Sequence, residues 1–225
     1  MEQTTMKSVL LTGGSRGIGM AIANRYETAG YKVTMPTRKE MDLSSINSVQ
    51  SYFEKKKTGF DVLINNAGEN KISSICELTV EDWQRVLTVN LTAPFLLIQH
   101  VIPYMKENKW GRIVNISSCY SLVSRKQRAA YSASKAGLNS LTRTAAIEFA
   151  AYGILVNAIC PGFVETDMTS QNNTPEQISE LCSHIPLSRL GTPDEVADFV
   201  FYLGSEQNSY ITGQALIVDG GFMSR

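Results

Sequence analysis

Short apolar runs alternate along the chain with longer segments in which apolar residues recur every three or four positions. The runs are rich in Val, Ile and Leu, as in strands buried on both faces, while the longer segments have the period of amphipathic helices. The predicted strands are residues 8–12, 32–35, 61–65, 112–117, 155–160 and 215–218. The predicted helices lie near residues 18–29, 45–57, 80–105, 131–152, 174–181 and 193–203. This alternation predicts an α/β fold, a single doubly wound domain over residues 1–225 with a mostly parallel sheet.

The connection that follows the second predicted strand is unusually short. That strand ends near Pro36, and only about four residues separate it from Glu40-Met41-Asp42-Leu43, the next strand-like or turn element. Adjacent parallel strands are normally joined by a crossover of about a dozen residues or more, usually a helix. We therefore expect the crossover helix between strand 2 and a strand 3 at residues 40–43 to be missing or shortened. The third strand is then vestigial, or this edge of the sheet is remodelled.

Composition and charge exclude several classes of protein. The 21 Lys and Arg residues balance 21 Asp and Glu residues, so nothing in the charge favours nucleic acid as a partner. Four cysteines without a CxxC spacing and two histidines argue against a metal site and favour a reduced, cytoplasmic protein. The most apolar run, residues 91–98, is too short for a membrane span, and the first residues lack a signal-peptide pattern.

A glycine-rich turn, Thr12-Gly-Gly-Ser-Arg-Gly-Ile-Gly19, follows the first predicted strand and opens the first helix. Gly13 permits a tight turn, Gly17 lets backbone N–H groups approach a pyrophosphate, and Gly19 allows close helix–strand packing. The helix N-terminus adds a partial positive charge. Alone, such a stretch could be a structural turn, but its place in the first strand–turn–helix unit favours a dinucleotide site.

The end of the second predicted strand indicates which dinucleotide binds. A cofactor without a 2′-phosphate is usually held there by Asp or Glu. This chain has Arg38 and Lys39 at that point, Arg16 nearby, and Glu40 only beyond the expected position. NADP(H) is therefore predicted in preference to NAD(H). The alternative is that Arg38 and Lys39 belong to a solvated turn.

Tyr131 and Lys135 lie four residues apart and share one face of a predicted helix. A cation beside a tyrosine favours the phenolate and lowers its pKa from about 10, which suits a general acid or base in neutral water. Ser118 ends a strand and Tyr131 begins a helix, so both can reach the carboxyl edge of the sheet, where open α/β folds bind ligands. Two hydroxyl donors there would stabilise negative charge that develops on a carbonyl oxygen.

In this order, these motifs resemble those of the short-chain dehydrogenase/reductase family over nearly the whole chain. The motifs are Thr12-Gly-x-x-x-Gly-x-Gly19, Asn65-Asn-Ala-Gly68, Asn90, Ser118, Tyr131-x-x-x-Lys135 and Pro161-Gly162. Within the family the chain is most similar to 3-oxoacyl-[acyl-carrier-protein] reductases, through residues 161–168, 186–197 and 211–221. The resemblance implies a Rossmann fold and hydride transfer between a nicotinamide and a carbonyl or secondary alcohol.

The resemblance also implies residue roles. Ser118 would hold the substrate carbonyl and Tyr131 would donate the proton. Lys135 would bind the nicotinamide ribose and lower the tyrosine pKa, while Asn90 would anchor a water of the proton relay. Asp42 and Leu43 would flank the adenine, and Val164 would meet the nicotinamide carboxamide. The predicted cofactor-binding residues are Gly13, Ser15, Arg16, Gly17, Ile18, Gly19, Arg38, Asp42, Leu43, Asn66, Ala67, Gly68, Tyr131, Lys135, Pro161, Gly162, Val164 and Thr166.

The loop between Ser118 and Tyr131 departs from the family pattern. It is usually glycine-rich and apolar, whereas here it carries Arg125, Lys126 and Arg128 beside the expected substrate mouth. We expect these cations to attract an anionic substrate such as a sugar acid, a phosphate or a carrier-linked acyl group, the alternative being a solvated charged loop. The polar segment 166–183, the family's lid, also suggests a polar ligand.

The sequence is compatible with more than one partner and more than one function. Family members that act on acyl carriers meet them with arginines near the entrance; Arg112 matches one such position, but the second is Tyr152. The alternatives to a carbonyl reductase are a sugar or sugar-acid dehydrogenase, and a non-catalytic NADP(H)-binding regulator on the same fold. The two long predicted helices and residues 213–225 resemble the family's interfaces, so a homotetramer is expected, with a dimer as the fallback.

Overall fold

The computed structural model describes residues 6–56, 58–167, 169 and 174–224. The strands are β1 (Ser8–Leu11), β2 (Lys32–Thr34), β3 (Val62–Asn65), β4 (Gly111–Ile116), β5 (Ile154–Pro161) and β6 (Ala215–Val218). The helices are α1 (Gly17–Thr28), α2 (Ile46–Lys55), α3 (Val80–Leu87), α4 (Ala93–Glu107), α5 (Ala129–Phe149), α6 (Pro175–Ser183) and α7 (Pro193–Leu203). The strands pair in parallel in the order β2-β1-β3-β4-β5-β6, which confirms the predicted α/β fold.

Helices cover both faces of the sheet. On one face Ile22 of α1 and Val200 of α7 pack with the strands, and on the other Val101 of α4 and Ala145 of α5 do so. Each strand near the centre of the sheet is therefore apolar on both sides, and all four residues of β3 are buried. This two-sided burial is the physical reason why the strands appear in the sequence as unbroken apolar runs.

The segment between β2 and α2 contains turns and no strand. Glu40 Oε2 accepts hydrogen bonds from Thr37 N at 2.8 Å and from Thr37 Oγ1 at 2.9 Å. Asp42 Oδ1 accepts from Ser44 N at 2.9 Å and from Ser44 Oγ at 2.7 Å. These short-range bonds satisfy the polar groups that a strand would otherwise pair. Residues 35–45 thus form neither a helix nor a strand, as the prediction of a missing crossover helix and a vestigial strand at residues 40–43 requires. The chain passes from β2 through α2 directly to β3, and β2 is one edge of the sheet.

A row of buried polar side chains connects the strands that carry the site to α5. Asn65 Nδ2 donates to Asn115 Oδ1 at 2.8 Å, and Asn115 Nδ2 donates to Thr142 Oγ1 at 2.8 Å. Thr142 Oγ1 in turn donates to the Leu138 carbonyl at 2.8 Å. Polar networks inside a core are strong and directional. This row therefore fixes the depth and register of α5 against β3 and β4.

The helical stretch Val80–Glu107 is long and apolar enough to cross a membrane by length and composition. Its apolar residues Leu97, Val101 and Met105 are buried against the sheet, so core packing accounts for its hydropathy. A π-helical segment, Thr88–Thr92, separates α3 from α4. Such widened turns often mark functional positions, and this one carries Asn90.

Candidate active site

The four predicted catalytic residues come together at the carboxyl edge of the sheet. Ser118 follows β4 by two residues, while Tyr131 and Lys135 lie in the first turns of α5. Ser118, Tyr131 and Lys135 line one cavity of about 380 Å³. Asn90 is fully buried behind it. Hydrogen bonds hold Ser118 in place: its main-chain carbonyl accepts from Ser121 Oγ at 2.6 Å, and its Oγ accepts from Tyr120 N at 3.1 Å.

Lys135 is a buried cation in this cavity. Its Nζ donates to the Ile116 carbonyl at 2.7 Å and lies 5.7 Å from the centre of the Tyr131 ring. Burial disfavours the ammonium and lowers the pKa of Lys135 to about 8. The lysine therefore still carries its proton at neutral pH, but it loses that proton at a much lower pH than an exposed lysine does.

The pKa of Tyr131 differs from the sequence expectation. Burial raises the pKa of Tyr131 to about 12, and the hydrogen bond with Ser118 opposes this only in part. The net direction is thus opposite to the expected one: loss of water around the phenol is the largest effect, and the cation that opposes it is Arg128, so the lowering by Lys135 stays a prediction. Tyr131 therefore carries its proton at neutral pH and is set to donate it.

Asn90 fixes the loop after β3 to α5. Its Nδ2 donates to the Glu69 carbonyl at 2.8 Å and to Ser134 Oγ at 3.0 Å, and its Oδ1 accepts from Glu69 N at 2.8 Å. Both amide donors are thus used by protein acceptors. The water that the resemblance places at Asn90 would have to bind elsewhere on the residue.

A groove crosses the carboxyl edge of the sheet. It consists of the 380 Å³ cavity and a second cavity of about 620 Å³, which share Gly13, Ser15, Ala67 and Gly68. The structure brings all the predicted cofactor-binding residues to this groove. The first cavity is lined by Arg16, Gly17, Ile18, Gly19, Asn66, Tyr131, Lys135, Pro161, Gly162, Val164 and Thr166, and the second by Arg38, Asp42 and Leu43.

The glycine-rich turn leaves room for a phosphate but not for side chains. Gly17 has φ +53°, in the left-handed region that favours glycine. A Cβ at Gly19 would lie 2.0 Å from the Gly13 carbonyl oxygen and 2.6 Å from Asn66 Nδ2. Asn66 Nδ2 also donates to Gly13 O at 2.9 Å, which anchors the turn to the end of β3. The residues present thus fit a pyrophosphate held by backbone N–H groups at the start of α1.

Two predicted cations, Arg38 in the 620 Å³ cavity and Arg16 in the 380 Å³ cavity, pair weakly with acids. Arg38 Nε lies 3.4 Å from Asp42 Oδ2, and Arg16 Nη1 lies 3.3 Å from Asp167 Oδ2, with both arginine side chains exposed. Glu40 faces Thr37, whose hydrogen bonds hold the pKa of the Glu40 carboxyl below its usual range. Such exposed pairs contribute little energy, so both guanidinium groups are free to turn toward a ligand.

Sequence reasoning missed the two other charged residues of the large cavity, Glu69 and Arg85. Arg85 Nε donates to Glu69 Oε1 at 2.7 Å and to Oε2 at 3.0 Å, so the pair forms one wall of the cavity. Glu69 directly follows the Asn65–Gly68 motif, which was the available signal. No sequence motif around Arg85 indicates a site residue, because only the packing of α3 brings it to the groove.

The substrate side of Tyr131 is aromatic and basic. The Tyr120 ring lies 6.5 Å from the Tyr131 ring and 6.2 Å from the Phe163 ring, each edge to face. Beyond them is a cavity of about 300 Å³, which is lined by Arg125. Arg128 is buried and Lys126 is exposed, and neither residue lines any of these three cavities. The three predicted substrate cations thus occupy three different environments.

The structure also bears on two other predictions, the contact of Arg112 with a carrier and the lid at residues 166–183. Arg112 is buried at the start of β4, at the edge of the sheet opposite the site, and donates to the Ser205, Gly153 and Asn208 carbonyls. The prediction that Arg112 meets a carrier at the entrance is therefore wrong.

Part of the predicted lid, residues 168 and 170–173, lies outside the described residues. Helix α6 follows them, and its residues Gln177 and Glu180 line the 300 Å³ cavity.

Comparisons with known proteins find relatives over nearly the whole chain. The family model described as enoyl-(acyl carrier protein) reductase matches residues 39–223. The chain is 39% identical to a 3-oxoacyl-[acyl-carrier-protein] reductase FabG of Aquifex aeolicus over 96% of both chains. It is 38% identical to an acetoacetyl-CoA reductase of Shinella zoogloeoides, covering 94% of this chain and 96% of that one.

A solved structure supports the same assignment. 4-Hydroxyisoleucine dehydrogenase complexed with NADH superposes with a TM-score of 0.91 at 30% identity, over 97% of this chain and 99% of that one. The similarity in sequence and the similarity in structure therefore both extend over nearly the full length of this chain. This chain belongs to the short-chain dehydrogenase/reductase family of oxidoreductases.

Proposed function

We propose that the protein is an NADPH-dependent oxidoreductase that transfers a hydride between the nicotinamide and a carbonyl or secondary alcohol. The observation that carries the proposal is the convergence of Ser118, Tyr131 and Lys135 on one cavity that continues into the phosphate-binding turn. A carbonyl oxygen in that cavity would lie within reach of two hydroxyl groups and a buried ammonium. The named activities of the relatives, reduction of 3-oxoacyl and acetoacetyl thioesters, support the same chemistry.

Each residue of the site would have a separate task. The bound nicotinamide supplies the hydride for reduction or accepts it for oxidation. Ser118 Oγ donates a hydrogen bond to the carbonyl oxygen, and Tyr131 transfers its proton to that oxygen as negative charge develops. Lys135 binds the ribose hydroxyls with its ammonium, and Asn90 keeps the loop after β3 in contact with α5. A protonated Tyr131 at neutral pH supports the reductive direction.

Two classes of substrate are consistent with the site. The relatives favour a 3-oxoacyl thioester, carried by a protein or by coenzyme A. The small 300 Å³ cavity, with Arg125 in its wall, favours a sugar acid or another small acid instead. The solved relative 4-hydroxyisoleucine dehydrogenase takes its name from a small acid of this kind.

The direct test is oxidation of NADPH by the purified protein against a panel of acetoacetyl-CoA, keto-sugars, small keto acids and neutral ketones. We expect saturable oxidation with at least one member, because the hydroxyl pair and the lysine are assembled in the absence of substrate. The absorbance of NADPH at its reduced-form maximum reports the rate. Tight NADPH binding without oxidation by any carbonyl would contradict the proposal and favour a regulatory role.

We also propose that NADP(H) is preferred over NAD(H). Arg38 and Arg16 flank the groove on exposed, weakly paired side chains, and the nearest acid beyond β2, Glu40, is held by Thr37. An arginine that is free to turn forms charge-assisted hydrogen bonds with a 2′-phosphate. Asp42 also lines the adenosine end of the cavity, but its Oδ1 is held by Ser44.

Replacing Arg38 by glutamine should therefore lower kcat/KM for NADPH by about tenfold, the equivalent of one charge-assisted hydrogen bond. The value for NADH should change less than about threefold, since NADH carries no 2′-phosphate. Steady-state kinetics with both cofactors give the ratio. Lys39→Gln is the matched control, because it removes a neighbouring cation that lines no part of the cavity. Equal losses with the two cofactors would refute the assignment of Arg38.

We further propose a homotetramer, or at least a dimer, in the cytoplasm. Phe95 of α4 and Ile147 of α5 are exposed, the latter to 81%, on the helices that resemble the family's dimer core. Ile217 of the edge strand β6 is also exposed. Exposed large apolar side chains on regular elements favour contact between copies of the chain.

A further inference from the structure

We propose that the substrate carries a carboxylate a few bonds from its reacting carbonyl, and that Arg128 binds this carboxylate. The inference rests on the proposed function and names the substrate class for the same site. It selects a small keto or hydroxy acid over a thioester that is linked to a carrier.

Arg128 is a buried cation with unused hydrogen-bond donors. Its side chain is 9% exposed, and among the described residues its Nε and Nη1 atoms are buried without a hydrogen-bond partner. The ion pairs within the described part of the chain involve other cations, so no carboxylate there neutralises it. Burial of an unpaired guanidinium is costly, and buried charges in proteins are normally paired. The unmet need for an acceptor points to a ligand.

The guanidinium lies on the substrate side of Tyr131. Arg128 is the residue before α5, three positions before Tyr131. Burial lowers the pKa of Arg128, and Tyr120, which also forms a side-chain hydrogen bond with the guanidinium, and Tyr131 oppose this effect, while Arg125 adds to it. The donors left without a partner are Nε and Nη1. Arg128 itself lines none of the three cavities; its link to the substrate side is its neighbour Tyr120, which lines the 300 Å³ cavity. A ligand group bound to it would therefore extend from the carbonyl away from the nicotinamide.

The backbone is shaped to bury this one arginine. Gln127 has φ +67°, in the left-handed region, which costs about 1 kcal/mol for a residue with a Cβ. Its carbonyl accepts a hydrogen bond from Ser73 N at 3.3 Å, which ties the turn to the loop after β3. Arg125 and Lys126 before this turn are exposed, while Arg128 after it is buried. A solvated charged loop would require no such turn.

The position of Arg128 selects among anions. The phosphates of coenzyme A or a carrier arm are separated from the thioester carbonyl by many bonds, so they cannot reach a residue packed beside the catalytic tyrosine. A carboxylate in the same small molecule can reach it, and guanidinium and carboxylate groups match in geometry. The 300 Å³ cavity would then hold the remainder of the acid.

The test compares acids with their methyl esters, which differ mainly in charge. NADPH oxidation is measured with pyruvate, acetoacetate and levulinate, with the three corresponding methyl esters, and with acetoacetyl-CoA. We expect wild-type protein to prefer at least one acid over its ester by about tenfold or more in kcat/KM. Arg128→Met should lower kcat/KM for that acid by about 10- to 100-fold, as for loss of a hydrogen bond between charged groups, and change the ester value less than about threefold.

Two further variants separate binding from folding. Arg128→Lys keeps the charge and should retain part of the preference for the acid, and it replaces the methionine variant if that protein does not fold. Arg143→Met removes an exposed arginine farther along α5 and should leave every value unchanged. NADPH binding, followed by fluorescence, should be the same in all variants.

Three results would overturn the inference. Equal use of acids and esters by wild-type protein would show that no carboxylate is recognised. A uniform loss on acid and ester in Arg128→Met, with a shifted pH profile, would show that Arg128 acts through Tyr131. Reduction of acetoacetyl-CoA alone, dependent on Tyr131, would leave the proposed function intact and refute the small acid. Absence of any Tyr131-dependent reduction would refute the proposed function itself.

Discussion

Replacing Tyr131 by phenylalanine should lower kcat by about 10²- to 10⁴-fold, the range that a positioned general acid contributes. The substitution removes one oxygen and leaves the ring, which packs edge to face with Tyr120 at 6.5 Å. Ser118 would still hold the carbonyl, but no group would remain to protonate the oxygen. The affinity for NADPH should stay within about threefold, because the turn at Gly13–Gly19 does not depend on the hydroxyl.

The measurement is single-turnover reduction with a substrate from the panel, together with NADPH binding by fluorescence. Tyr202→Phe is a suitable control, since it removes a hydroxyl from a tyrosine that stacks on Phe199 far from the groove. Because the pKa of Tyr131 is raised to about 12, reduction by wild-type protein should be independent of the tyrosine's ionisation between about pH 6 and 9. A phenylalanine variant with more than about a tenth of the wild-type rate would show that another group donates the proton.

Local pattern predicted most of the fold and of the cofactor groove. The strands were visible because two-sided burial makes each an apolar run, and the groove because its parts, such as residues 12–19 and 65–68, are continuous in sequence. The absence of a helix and strand between β2 and α2 was predicted from the few residues that separate Pro36 from Glu40. In all these cases the decisive information lies within a few neighbouring residues.

The predictions that failed concerned residues whose surroundings are formed by segments distant in the sequence. Arg112 looked accessible in the sequence, but carbonyls from residues 153, 205 and 208 surround its guanidinium. Arg125, Lys126 and Arg128 looked equivalent until the turn at Gln127 separated them by burial. The pKa of Tyr131 was expected to fall because the pattern showed its cation, whereas the burial that raises it is a property of the assembled fold.

Lys135 is the position where function and stability should oppose each other. Burial lowers its pKa to about 8 from an ordinary value of 10.5. The unfolded chain therefore binds more protons than the folded one between these pH values, so wild-type stability rises with pH across that window. Below pH 8 the buried ammonium costs roughly 3 kcal/mol, at 1.36 kcal/mol for each pKa unit.

Replacing Lys135 by methionine should thus lower kcat/KM by about 10²-fold or more while raising the free energy of unfolding at pH 7 by roughly 1–2 kcal/mol. The gain is smaller than the full penalty because the Ile116 carbonyl loses the 2.7 Å hydrogen bond from Nζ. Urea unfolding of both proteins at several pH values measures the difference. The advantage of the variant should be largest below pH 8 and should disappear by about pH 10.5, where Lys135 is neutral in either state. If the variant is less stable than wild type at pH 7, with a difference independent of pH, the ammonium does not carry the burial penalty, and Lys135 is held by contacts strong enough to offset it.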